Sequence, residues 1–204
     1  MSLQSSPDKT LALAAWPTAS SRVLRFGVLA LVGSALLALA AKTQVPFWPV
    51  PLTMTTFAVF MIGAAYGSRL ALATVLLYLA EGFAGIPVFA GPVAGPAYMM
   101  GPTAGFLWGY AVAAFLIGLA ADYGWSRSTP KMALAFFAGD AVLFAMGFVW
   151  LAFFATLSSG AVGLGASAAF AKGVLPFLLG DALKIALAAF LVPAGWTLLG
   201  KLRG

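Results

Sequence analysis

Asp181 and Lys184 lie in a run from residue 173 to residue 199 that holds no other charged side chain. Either one costs about 3 kcal/mol at the centre of a bilayer, so ionisable residues in such a run mark a ligand or ion site by default. Residues three apart share a helix face, so carboxylate and ammonium point the same way and offer an acceptor and a donor to one polar guest. The alternative, a closed ion pair serving stability, is weak: a buried pair is a poor source of stability, and two groups on one helix face crosslink nothing. If Lys184 is shared between Asp181 and a guest, the natural guest carries its own carboxylate.

Other polar groups are few. Glu81 ends an apolar segment just before a long loop, where it either bonds a ligand's N–H groups or is solvated at an interface. Thr53, Thr55 and Thr56 cluster their hydroxyls at the start of a helix, with local capping as the plainer reading for Thr53. Tyr78, Tyr98 and Tyr110 offer hydroxyls to a guest or belong to an interfacial aromatic belt. Asp140, in Phe137-Ala138-Gly139-Asp140-Ala141, echoes Leu179-Gly180-Asp181-Ala182. It is a second site group or, more simply, a cap or interhelical hydrogen bond near the cytoplasmic side. With no Cys and no His, the chain lacks most transition-metal ligands, the thiol nucleophile and the imidazole base. No phosphate loop, nucleophile elbow or zinc-protease helix occurs, so no metal or cofactor is expected and energy for any pumping must come from an ion gradient or another subunit.

The elements that must carry these residues are membrane helices. The 204 residues are 63% apolar and 8% charged, outside the range of soluble domains. Residues 23–41, 103–121, 132–157 and 175–199 meet or approach the ~20 apolar residues that a span needs. Residues 53–66 and 70–80 read as two shorter helices split by Gly67-Ser68-Arg69, giving an all-α, six-helix polytopic protein. Residues 1–21 form a polar, disordered cytoplasmic arm, and 22–204 form one transmembrane domain. The first apolar stretch resembles a secretory signal but is too long for one, so it is expected to remain as a span. Lys9, Arg22, Arg25, Arg69, Arg127, Lys131, Lys201 and Arg203 fall on the side of the termini, against only Lys42 and Lys172 opposite, which places both termini in the cytoplasm. In such a chain the net charge of +6 reports orientation and does not point to nucleic acid.

The outer loops, 42–51, 82–102 and 158–172, are rich in Gly, Pro and aromatics. Three prolines in 42–51 prevent a regular helix, and Phe47 and Trp48 there are placed to sit at the interface or cap a pocket. The second loop, through Phe89, is a candidate lid or pocket wall. Small residues recur at Ala30, Ser34 and Ala38 and at Gly63, Gly67 and Ala71, rows that let either this protein's own helices or a partner approach closely.

Four ordered motifs carry a family resemblance. Val45-Pro46-Phe47-Trp48-Pro49-Val50-Pro51-Leu52-Thr53, Gly85-Ile86-Pro87-Val88-Phe89-Ala90-Gly91, Gly101-Pro102-Thr103-Ala104-Gly105-Phe106-Leu107 and Gly180-Asp181-Ala182-Leu183-Lys184 resemble the BioY family, the biotin-binding S components of energy-coupling-factor (ECF) vitamin transporters. The resemblance runs from about residue 23 to the C-terminus. It implies a six-helix S-component fold in a bacterial cytoplasmic membrane, with a biotin pocket toward the outer face and with a T subunit and two ATPases as partners. It also implies that Asp181 and Lys184 bind the vitamin, which has a ureido ring at one end and a carboxylate at the other; which end meets Lys184 stays open. The expected substrate-binding set is Asp181, Lys184, Glu81, Thr53, Thr55, Trp48, Phe89 and Tyr110, with Trp48 or Phe47 closing over the ligand. The row Ala30, Ser34, Ala38 is the expected T-subunit surface. Two departures from the family pattern stand out: Thr55 replaces a frequent Gln, and residues 70–126 contain no Lys or Arg, so members that use a basic residue of the long outer loop are no guide.

Two other readings compete. An intramembrane aspartyl enzyme would pair Asp140 with Asp181, but the G-x-G-D signature is absent, since Phe137 and Leu178 occupy its first position. An S component for another vitamin, such as thiamin or riboflavin, fits the Gly-Pro-Thr and Gly-Asp-x-x-Lys motifs poorly.

Overall fold

A computed structural model describes residues 10–15 and 21–203. Residues 1–9, with Lys9, and 16–20 of the N-terminal arm lie outside the described residues. Residues 10–15 of that arm are structured. There α1 (Leu11–Ala15) packs against later helices, with Thr10 and Ala14 buried.

Helix α2 (Arg22–Lys42) begins where the Ser21 hydroxyl accepts from the Leu24 N–H, one of the donors a first turn leaves unpaired. The proline-rich stretch that follows is a hairpin, β1 (Gln44–Val45) antiparallel to β2 (Leu52–Thr53), with Gln44 opposite Thr53. The fold is therefore helical apart from this two-stranded element. Next come α3 (Thr55–Tyr66), α4 (Ser68–Phe83), a long loop with a 3₁₀ turn at Tyr98–Met100, α5 (Ala104–Asp122), a second 3₁₀ turn at Trp125–Arg127 and α6 (Thr129–Phe153). A short helix, α7 (Ala166–Gly173), unforeseen in the sequence, precedes α8 (Leu178–Arg203).

Four of these, α2, α5, α6 and α8, are long and apolar enough to cross a membrane. Helices α3 and α4, at 12 and 16 residues, are shorter than a straight span of about 20. Helix α5 is the centre of the bundle and packs on α3, α4 and α6. Glycine makes that closeness possible. A Cβ on Gly118 would lie 2.5 Å from the Ser68 backbone, and one on Gly109 would lie 3.0 Å from the Leu143 Cα. The row Gly63, Gly67, Ala71 is likewise internal: Gly63 faces Ile117 of α5, and Ala71 is fully buried. Gly67 turns the chain between α3 and α4 with a φ of +76°, a conformation that side chains with a Cβ rarely adopt. The Asp122 carboxylate then accepts from the Ser68 N–H (3.0 Å) and hydroxyl (2.5 Å), placing negative charge at the start of α4.

By contrast, α2 and α8 turn much of their surface outward, including Leu31, Leu36 and Leu39 on α2 and Leu183, Leu187 and Phe190 on α8. At the end where α8 finishes, the Arg127 guanidinium lies 4.6 Å from the Trp196 ring centre, and the Trp196 indole donates to the Ser126 hydroxyl. The hairpin, the long loop and α7 gather at the opposite end, and the candidate site lies beneath them.

Candidate ligand-binding site

Helix α8 starts at Leu178, so Asp181 and Lys184 fall in its first two turns on one face, as their spacing predicts. The Lys184 ammonium donates to Asp181 Oδ1 (2.6 Å), to the Thr56 hydroxyl (2.9 Å) and to the Thr53 carbonyl (2.8 Å). The Thr56 hydroxyl in turn donates to Asp181 Oδ1 (3.0 Å). One cation thus ties α8 to the start of α3 and to the hairpin. An ammonium has three N–H donors, and all three are used.

Asp181 is the complement. It is 1% exposed, and its Oδ2 is buried without a hydrogen-bond partner. A carboxylate oxygen left unpaired in a dry site is costly, so the site is poised to accept a hydrogen bond.

Two small adjoining cavities, about 30 and 20 Å³, meet here. They share walls of Val50, Pro51, Thr53, Phe106 and Tyr110. The inner one adds Asp181, Lys184 and Thr56 as polar groups and Leu143, Phe144 and Phe177 as apolar ones. The outer one adds Thr55, Thr103, Tyr78, Tyr98, Ala41 and Ala90. An apolar box with a few convergent polar groups is the usual form of a small-molecule site. The Thr53 and Thr55 hydroxyls bond each other at 2.9 Å and face the Tyr110 hydroxyl, so three members of the expected set lie together. In the long loop, burial raises the pKa of the Tyr98 phenol, with a Thr103 hydrogen bond opposing, so Tyr98 remains a neutral hydroxyl.

Four of the expected residues or rows are placed away from the two cavities or from the surface. Phe89 lines neither cavity; it is fully buried behind the wall, stacked on Tyr98 (4.9 Å) and edge-on to Tyr78 (5.3 Å), with its ring seated on Gly82. It packs behind two wall tyrosines. Trp48 is 56% exposed and outside both cavities, its ring 4.8 Å from the Lys172 ammonium. Its neighbour Phe47 is the residue that meets the wall, edge-on to Phe177 at 6.4 Å. Glu81 accepts from the Ser34 hydroxyl and lines neither cavity. For the same reason the row Ala30, Ser34, Ala38 is not an open partner surface: Ser34 is 1% exposed and turned onto α4, and Ala38 packs on the core.

Asp140 is 7% exposed, with its Oδ1 unpartnered, so it is neither a cap nor an interhelical hydrogen bond among the described residues. It lies one turn from the wall residues Leu143 and Phe144, and neither cavity includes it. The bridging role of Thr56 and the aromatic walls Phe106, Phe144 and Phe177 were not foreseen. Phe106 lies in the Gly101 to Leu107 motif, but nothing in the sequence separates Phe144 and Phe177 from the other phenylalanines of so apolar a chain.

The family model described as the BioY family matches residues 12–201. A Pyrococcus horikoshii protein named "Probable biotin transporter BioY" is 35% identical over 157 residues, covering 77% of this chain and 87% of its own. "Biotin transporter BioY" of Rhizobium etli is 34% identical over 173 residues, covering 80% and 88%. "Biotin transporter BioY" of Thermotoga maritima is 30% identical over 162 residues, covering 78% and 88%. A crystal structure described as the S-component for biotin from an ECF-type ABC transporter superposes with a TM-score of 0.70 over 86% of this chain and 94% of that one, at 20% identity. The fold is shared with that S component.

Proposed function

The chain belongs to the BioY family, and on that premise we propose that it captures biotin at the outer side of a bacterial cytoplasmic membrane as the substrate-binding S component of an ECF transporter. The observation that carries the reading is Asp181 Oδ2, a buried acceptor without a partner on the wall of an apolar cavity. Biotin's ureido ring supplies N–H donors of the kind this oxygen lacks, and its fused rings suit walls of Phe106, Phe144 and Phe177. Thr53, Thr55 and Tyr110 add hydroxyls along the cavity, and Phe47 covers it from the hairpin.

In this reading α2, α3, α4, α5, α6 and α8 form six passes with both termini cytoplasmic. Each apolar outward face meets lipid. The chain carries no phosphate loop, so a T subunit and its ATPases supply the driving step. It performs no chemistry on biotin and uses no cofactor. The rival readings, another vitamin or an intramembrane aspartyl enzyme, gain nothing from the relatives found.

Thermal unfolding of the detergent-purified protein tests the proposal, because a ligand that binds only the folded state raises the midpoint by mass action. Biotin should raise it strongly, and thiamin and riboflavin should not. Lys184→Ala should lose most of the biotin shift. A shift with another vitamin and none with biotin would replace the assignment, and a biotin shift unchanged in Lys184→Ala would move the site.

A further inference from the structure

The partner of the guest's carboxylate is unassigned, and the geometry near α8 argues against placing it there. This inference rests on the biotin reading above. Lys184 spends all three donors on Thr53, Thr56 and Asp181, so none remains for an anion. Its free neighbour, Asp181 Oδ2, would repel a carboxylate and attract an N–H. A guest with an N–H-bearing end and an anionic end therefore directs the anion away from α8, along the shared walls into the outer cavity.

A cation, Lys42, stands next in the chain to a wall residue of the outer cavity, although it is itself exposed and lines neither cavity. Ala41 and Ala90 form part of the outer cavity's wall. Lys42 follows Ala41 at the end of α2, and its ammonium donates to the carbonyls of Phe89 (2.8 Å) and Gly91 (2.6 Å), the two residues that flank Ala90. That accounts for two of its three donors. Among the described residues the ion pair is Lys184 with Asp181, so Lys42 has no carboxylate partner there. The long loop brings no cation of its own, because residues 70–126 contain neither Lys nor Arg. Lys172, the other outer-face lysine, lies over the Trp48 ring, and neither of its neighbours in the chain lines a cavity.

We infer that Lys42 is the residue that binds the guest's carboxylate, so that the linked cavities form a bipolar site with an acceptor at α8 and a cation at the mouth. Tethered to two loop carbonyls, the ammonium is held in place before the anion arrives. Binding an anion there also joins α2 and the long loop around the ligand.

A Lys42 that merely anchors the loop would look the same in the free protein, so the test must read the carboxylate itself. Equilibrium binding of biotin and of biotin methyl ester is measured on the full-length protein, as wild type, Lys42→Gln, Lys42→Met, Lys42→Arg and Lys172→Gln. Wild type should prefer the acid roughly tenfold or more, the effect of a charge-assisted hydrogen bond. Lys42→Gln and Lys42→Met should bind the acid no better than the ester, whereas Lys42→Arg and Lys172→Gln should keep the preference. The assignment is overturned if the preference persists without the Lys42 charge, if acid and ester weaken together, if Lys172→Gln abolishes the preference, or if wild type has none. Should wild type bind neither compound, the biotin reading itself fails.

Discussion

The hydroxyl of Thr56 illustrates what a single atom does at this site. It accepts from Lys184 and donates to Asp181 Oδ1, so it fixes the rotamers of both charged groups and leaves Oδ2 as the free acceptor. Thr56→Val keeps the shape and removes both bonds. The expected cost is about 1–3 kcal/mol, the range for leaving buried polar groups unpaired, together with a weaker biotin-induced thermal shift. Thr56→Ser, which retains the hydroxyl, should recover most of both. Equal behaviour of the Val and Ser variants in thermal unfolding would show that the hydroxyl does not organise the pair.

Among the elements, α5 decides the packing and α4 decides the wall. At Gly118 the nearest atoms to an added Cβ are backbone atoms of Gly67 and Ser68, which cannot rotate away as a side chain can. Gly118→Ala should therefore force α4 and α5 apart and lower stability by about 1–3 kcal/mol, the usual cost of overpacking. At Gly82 the added Cβ would lie 2.0 Å from the Phe89 ring, which backs Tyr78 and Tyr98. Gly82→Ala should displace that stack and weaken biotin binding along with stability, although neither residue lines a cavity. Binding assays on the two variants at matched folded fraction separate the effects: Gly118→Ala should retain affinity, and Gly82→Ala should not.

At the scale of the whole molecule, the fold gathers its hairpin, long loop and α7 at one end and the Arg127–Trp196 contact at the other. The positive-inside rule assigns the second end to the cytoplasm. Because the chain has no cysteine, single introduced thiols report sidedness cleanly. Exposed Ser158 and Tyr123 lie at opposite ends. Ser158→Cys should react with a membrane-impermeant maleimide in right-side-out vesicles, and Tyr123→Cys only after permeabilisation. The reverse pattern would invert the proposed topology.

Composition and spacing alone determine the helical architecture and place Asp181 with Lys184 on one face, because helix periodicity and the cost of charge in lipid are local properties of the chain. They also bring the Thr53 and Thr55 hydroxyls into view, two residues apart at one helix start. They do not determine the direction in which an isolated polar group points. Ser34 and Glu81, 47 positions apart, satisfy each other only because α2 lies on α4, a contact their sequence positions do not suggest. Trp48 and Phe47 are adjacent and equally apolar, yet hairpin pairing sends one toward Lys172 and the other toward Phe177. Lys42 and the Phe89 carbonyl likewise meet across 47 residues. Partners so distant in the chain are chosen by packing, which no local pattern encodes, and the division of the site into an acceptor end and a cationic end exists only once the helices are assembled.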